Sequence, residues 1–416
     1  MKPGLSWRGA VAALCVGLLG VSAWQGRPGE APPAGAVAGA ARPDADEALA
    51  ARGAYLARVG NCAGCHSMPG AAAYAGGRGI PTPFGMVFAG NLTPDDETGL
   101  GRWSADDFWR ALHEGRGRDG RRLVPAFPYT SYTHLARDDA DAIFAYLRRL
   151  PAVRQPPRPH ALRFPYGTPW ALAAWQWAFF RPDAAAPQRA PEGGLARGRY
   201  LVEGLGHCGA CHAPRGRWGA PADNLGGGEI PAQAWVAPSL HPDGRQPVSA
   251  AELVALLRTG RNARGSASGP MAAVVYTSTR HWSDADLAAA AAYLLSLPPQ
   301  PGPAAPAETA AAADTAGRQL YDDRCAECHG DQGQGAEGAY PALAGNATVL
   351  QDDPRNLLLV MRRGAFGPVT AARPRPYGMP PQDMSDAELA AVASHVRQAW
   401  GNAAGPVSEL QALRSR

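Results

Sequence analysis

Six cysteines and three histidines carry the recognisable chemistry of this chain. They stand as Cys62, Cys65 and His66 in "GNCAGCHSMPG", Cys208, Cys211 and His212 in "GHCGACHAPRG", and Cys325, Cys328 and His329 in "DRCAECHGDQG". A Cys-x-x-Cys pair followed at once by His is the attachment pattern of a c-type haem. The two thiols add across the porphyrin vinyl groups, and the adjacent imidazole is held over the iron as proximal ligand. Rival readings are weaker. A zinc ribbon pairs two Cys-x-x-Cys groups within a few tens of residues, whereas consecutive pairs here begin 146 and 117 residues apart. A thioredoxin-type motif needs a βαβ setting that none of the three contexts offers. Disulfides, the ordinary reading of an even cysteine count in an exported chain, leave the His after every pair unexplained. Three covalently bound haems are expected.

A thioether opposite the proximal His raises the potential of a haem and suits it to electron transfer. Such a Met should lie well downstream, on a segment crossing the far face of the ring. Met271, in "SASGPMAAVVYTS", stands 59 residues after His212, and Met379, in "RPYGMPPQDMSD", 50 residues after His329. Both are expected as axial ligands, and Met384 as a packing residue. The first unit departs: 61 residues after His66 stands Phe127, in "RLVPAFPYTSY", and Phe cannot donate to iron. Met68 is too close to His66 to reach the opposite face. Met86, in "TPFGMVFAG", His113 and His134 remain, as does an open site; Met86 is preferred by a narrow margin.

These residues need elements to position them, and the sequence supplies them three times. A short helical signal precedes each motif, in "RGAYLARVGNCAGCH", "RGRYLVEGLGHCGACH" and "GRQLYDDRCAECH", with Tyr55, Tyr200 and Tyr321 in comparable places. Each unit closes with an acidic-start, apolar-periodic helix: "ARDDADAIFAYLRRLP", "SDADLAAAAAYLLSLPP" and "SDAELAAVASHVRQAW". Early acidic residues suit the positive end of a helix dipole. Asp139, Asp286 and Glu388 each precede an aromatic or imidazole ring by seven residues. Pro/Ala-rich seams separate the units. The expected class is all-α: three tandem haem domains over 46–151, 194–298 and 314–403. An aromatic segment with linker fills 152–193, a linker 299–313 and a tail 404–416.

The N-terminus reads as a secretory signal over 1–23, followed by a Pro/Gly/Ala leader over 24–45. Lys2 and Arg8 precede "AVAALCVGLLGVSAW", and "VSA" ends at a small-residue cleavage site. That apolar run falls short of the roughly 20 residues a spanning helix needs. Cleavage removes Cys15, leaving only the six motif cysteines, and places the chain in the periplasm. The formal charge of +4 falls to +2 with Lys2 and Arg8 gone. So even a balance excludes nucleic acid as a partner, since that requires a concentrated basic surface.

In "NLTPDDETGLGRWSADDFWRALHEG", "PAFPYTSY", "GPMAAVVYTSTRHWSDADLAAAAAYLLSLPP", "CAECHGDQGQGAEGAYPALAGN" and "MSDAELAAVASHVRQAWGN" the chain resembles a known family. It is similar, from about residue 50 to 403, to the tri-haem cytochrome c subunits of membrane-bound periplasmic dehydrogenases acting on alcohols, gluconate and related polyols. The resemblance implies three small helical cytochrome c domains. They would take electrons from a dehydrogenase catalytic subunit and pass them to ubiquinone or a terminal oxidase, at a membrane surface held peripherally. It implies Met271 and Met379 as axial ligands. It also implies Pro341, in "YPALAGN", as the proline whose carbonyl orients the proximal His, an outer-shell role. The family has Met where Phe127 stands, so its first-haem ligand does not carry over.

Two functional classes follow. One is an electron-transfer subunit with no substrate site of its own; no phosphate-binding glycine loop, nucleophile elbow or HExxH is present. The other is a peroxidase-like haem enzyme using an open first iron, motivated by Phe127 alone; a free-standing carrier feeding an oxidase is a milder variant of the first. The segment "LRFPYGTPWALAAWQWAFFRP" is expected to be an interdomain helix packed on haem edges. Contact with a membrane interface, a quinone or the partner subunit is the alternative.

Overall fold

The computed structural model describes residues 43–242, 248–300 and 315–416. The expected signal, most of the leader and most of the 299–313 linker lie outside the described residues. In every unit an opening helix packs across the closing helix: Pro43–Val59 on Arg137–Leu147, Gly194–Arg199 on Asp284–Ser296, and Thr315–Arg324 on Asp386–Gln398. Glycine permits the close approach in the first two. A Cβ on Gly53 would fall 1.8 Å from the Ala142 carbonyl oxygen, and one on Gly198 2.1 Å from that of Ala289. Any side chain there would drive the helices apart.

Each opening helix delivers the chain into its Cys-x-x-Cys-His turn, at Cys62–His66, Gly209–His212 and Ala326–His329. Tyr200 stands eight residues before Cys208, one more than separates Tyr55 from Cys62. A π-helical stretch over Tyr200–Leu205 takes up the extra residue. Tyr321 is not the counterpart of the other two. It is fully buried, donates its hydroxyl to the Gly330 carbonyl at 2.5 Å and packs on Trp400.

The second and third closing helices start on serine-capped turns, whereas the first follows Ala136 and has no side-chain cap. Ser283 Oγ accepts from the Asp286 amide, and Ser385 forms a reciprocal capping box with Glu388. Asp139 and Asp286 do more than favour a helix dipole. Tyr55 of the first unit donates to Asp286 of the second at 2.6 Å, beside a two-pronged Arg197 contact at 2.8 and 2.9 Å. Reciprocally, Tyr200 of the second unit donates to Asp139 of the first at 2.7 Å, beside Arg52. The same Arg–Asp–Tyr arrangement is thus used twice, in opposite directions, across one seam. One continuous apolar core, with Leu56, Leu135, Leu147, Leu201, Leu205 and Leu287 at its centre, runs through both units.

The third unit has its own core around Tyr321, Leu358, Leu389, Val392 and Val396. Its Asn356 side chain pairs with both backbone groups of Val236, at 2.9 and 2.6 Å, and so docks on the second unit. The tail is part of this unit. Helix Glu409–Arg414 returns to pack on it, Ala412 is fully buried, and Arg416 and Arg362 share Asp386.

The described residues are mostly helical, as the all-α expectation has it, with some small sheets besides. Strands β1 (Gly79–Thr82), β2 (Gly85–Phe88) and β3 (Ala161–Leu162) form an antiparallel sheet, and three pairs of two-residue strands make smaller ribbons among the described residues. These lie in the long Gly/Pro-rich stretches, where short extended pairings satisfy backbone groups that no helix covers.

Candidate haem-binding site

The three motif histidines share one geometry. His66 Nδ1 donates to the Gly90 carbonyl at 2.7 Å, His212 Nδ1 to that of Pro238 at 2.8 Å, and His329 Nδ1 to that of Pro341 at 2.9 Å. A carbonyl can only accept, so each Nδ1 carries the proton and each Nε2 keeps its lone pair for a metal. Burial lowers the pKa of all three imidazoles, which keeps them neutral. That is the state a metal-ligating histidine needs, with its other nitrogen fixed from the outer shell. Of the three acceptors, the sequence pointed only to Pro341. Pro238, in "APSLHP", is signalled by being a proline in a similar loop; Gly90, in "AGNLTP", carries no such mark.

All six described cysteines are unpaired thiols. Burial pushes Cys62 and Cys208 up to about 12 and Cys325 to about 11. A cavity of about 2360 Å³ lies over the first two units, lined by Cys62, Cys65, His66, His207 and Cys211. Ordinary small-molecule pockets hold roughly 300–1,000 Å³, so this space exceeds a single ligand of that size. Free thiols and neutral imidazoles with free Nε2 at all three motifs, and a large cavity beside the first two, fit a covalently held porphyrin.

The methionines divide. Met271 sits in the first turn of helix Gly269–Thr277, half-buried; its neighbours Pro270, Ala273 and Val274 line the cavity, whereas Met271 itself, like Met86, does not. Met379 is half-buried in a two-residue strand and packs against the third core, which also receives Cys325. Met384 is buried in that core as a packing residue. Met86, the preferred first-unit ligand, is in β2 opposite Pro81 and Ala161, with its sulfur beside Gly79. It is not among the residues lining the cavity, whereas its strand neighbour Val87 and Phe127 are. Phe88, two residues on and so on the same strand face as Met86, lines it as well. His113 is engaged with the Thr133 carbonyl and stacked on Trp109, and His134 is paired with Asp183 at 2.7 Å.

The aromatic segment forms helix Pro169–Phe179. Its inner side is held by polar bonds: Gln176 donates to the Gly115 carbonyl, and the Trp175 indole donates to that of Trp218. Trp175 and Phe180 pack on Tyr129. Trp170 and Trp177, however, are 61% and 76% exposed. The expected interdomain packing therefore holds for one face only, and the other presents tryptophans to solvent.

The comparisons with known proteins follow this geometry. The cytochrome c family model matches residues 50–151 and 315–400. The chain is 38% identical over 402 residues to the cytochrome c subunit of alcohol dehydrogenase (quinone) from Gluconobacter oxydans (strain 621H), covering 89% of this chain and 83% of that one. It is 37% identical over 393 residues to the gluconate 2-dehydrogenase cytochrome c subunit of Pantoea cypripedii, covering 86% and 87%. It is 31% identical over 404 residues to the fructose dehydrogenase cytochrome subunit of Gluconobacter japonicus, covering 86% and 80%. The fold and the site are those of a c-type cytochrome, with covalently bound haem and a role in electron transfer. More narrowly, the chain belongs to the family of cytochrome c subunits of dehydrogenases.

Proposed function

We propose that this chain carries three c-type haems and is the electron-transfer subunit of a periplasmic, membrane-associated dehydrogenase. The observation that carries the reading is the threefold recurrence of one device: a buried, neutral motif His whose Nδ1 is tied to a backbone carbonyl. Haem bound there supplies a one-electron couple. The chain's own residues anchor it through Cys62, Cys65, Cys208, Cys211, Cys325 and Cys328, and ligate it through His66, His212 and His329. Met271 and Met379 complete the second and third irons, raising their potentials.

The donor is a dehydrogenase catalytic subunit, as the names of the relatives suggest, and the acceptor is ubiquinone or a terminal oxidase. Association with the membrane is peripheral. Among the described residues no helix is long and apolar enough to cross a bilayer, and the exposed Trp170 and Trp177 suit an interface where one end of the ring is apolar and the other wet. Co-purification of the haem-stained chain with a dehydrogenase subunit, and its reduction by that subunit's substrate, tests the reading. A chain that purifies alone and stays oxidised with every candidate dehydrogenase would overturn it.

A second reading concerns the first iron only. Phe127, which cannot donate to iron, lines the cavity and stands 61 residues after His66, which favours a first haem without a methionine ligand. Carbon monoxide binding to one haem of the reduced protein tests this; three haems indifferent to carbon monoxide would remove both the open iron and the peroxidase-like alternative.

A further inference from the structure

The residues just before the first cysteine of units one and two, Asn61 and His207, both hold positive φ, at 52° and 39°. For residues other than glycine this left-handed region is sparsely populated, and such outliers cluster at functional sites. In the second unit the unusual backbone delivers His207 to the other unit's motif. His207 Nε2 donates at 3.2 Å to the carbonyl of Gly60, two residues before Cys62. The same oxygen accepts the Tyr132 hydroxyl at 3.1 Å, and the Tyr132 and His207 rings meet edge to face, with centroids 5.5 Å apart. One residue earlier, the Val59 carbonyl accepts from Ser278 Oγ at 2.9 Å. The last carbonyls of a helix have no partner within it; here the second unit supplies donors for them. Cys62, Cys65, His207 and Cys211 line one cavity.

On the reading of these motifs as haem sites, we infer that His207 is a positioning and bridging residue between the first two haems. A route from Cys62 through Asn61 and Gly60, across the His207 hydrogen bond, to Cys208 connects the two attachment points. It fixes the two motifs relative to each other and offers an electron a bonded path with a single hydrogen-bond gap. One iron is oxidised as the other is reduced. No bond breaks, and the proton stays on Nε2. The third unit has Arg324 at this place, whose guanidinium donates to the Asp383 carbonyl within its own unit. The bridge is therefore specific to the first pair.

The test is electron equilibration between the haems of the full holoprotein after flash photoreduction, in His207→Leu, His207→Gln, His207→Asn and Ser278→Ala. Leucine cannot donate, and asparagine is too short to span the gap. Both should slow the fast phase, by up to about 100-fold, the scale on which a misplacement of about 1 Å in reacting groups acts. Glutamine, which can reach the Gly60 oxygen, should restore it. Ser278→Ala loosens the same seam without touching the bridge and should leave the rate unchanged. If the leucine variant fails to fold, the glutamine–asparagine pair decides alone. Wild-type rates in the asparagine and leucine variants, or slowing in Ser278→Ala equal to theirs, would overturn the inference. Haem content by pyridine haemochrome separates the outcomes: fewer than three haems in the wild type defeats the haem reading, whereas three haems with an unaltered rate defeat only the bridge.

Discussion

Consider the double replacement of Tyr55 by Phe and Asp286 by Asn. Asp286 is nearly inaccessible, with 9% of its side chain exposed, and it accepts two bonds from Arg197 and one from Tyr55. Hydrogen bonds to a charged group contribute about 1.5–3 kcal/mol each when formed inside a protein. Tyr55 is only half-buried, and water competes for its hydroxyl in the single mutants, so its share is set at about 1–2 kcal/mol. The singles and the double should show a coupling energy of that size in guanidinium unfolding, followed by haem absorbance and tryptophan fluorescence. Asp286→Asn alone should cost about 3 kcal/mol, because it leaves the buried Arg197 without a counter-charge. Tyr200→Phe with Asp139→Asn should reproduce the coupling, since the seam uses the same arrangement in reverse. Coupling within about 0.5 kcal/mol, the scatter of independent sites, would refute the claim that these tyrosines join the first two units.

Replacing Met271 or Met379 with Leu should each lower the potential of one haem and remove one sulfur-to-iron charge-transfer band, while Met86→Leu should leave every band in place; redox titration with visible spectra checks all three. Burial alone would raise the Asp286 pKa, but the Arg197 and Tyr55 hydrogen bonds outweigh it and hold the carboxyl below its usual range. A depressed carboxylate contributes stability that is full above its unfolded value of about 3.9 and is lost as pH falls through the lower folded value. Acid titration should therefore loosen the seam between the first two units below about pH 4, and Asp286→Asn should flatten that transition. Arg416→Ala should lower the thermal midpoint of the third unit by releasing the tail from Asp386, read by differential scanning calorimetry.

What the sequence disclosed follows from how local each feature is. The Cys-x-x-Cys-His turns and the Ser283 and Ser385 helix caps are written in contiguous residues, and short-range physics suffices to read them. The roles of Asp139 and Asp286 were half legible: their place at helix starts was visible, but their tyrosine partners lie in another unit, 61 and 231 residues away. Tyr321 misled because it stands four residues before Cys325, against seven and eight for Tyr55 and Tyr200, and so falls on a different part of its opening helix. The carbonyls of Gly90 and Pro238 were hidden because any residue carries a carbonyl; only loop geometry selects them. The exposed tryptophans of Pro169–Phe179 could not be told from core aromatics, since composition does not say which face of an apolar helix finds a neighbour.

The most direct measurement is the intact mass of the mature protein, paired with pyridine haemochrome quantitation after extraction with acidified acetone. Three haems retained per chain, with all six motif cysteines refractory to thiol alkylation, is the expected result. A colourless polypeptide after extraction, or any motif whose cysteines remain free to alkylate, would contradict the assignment of His66, His212 and His329 as three haem ligands.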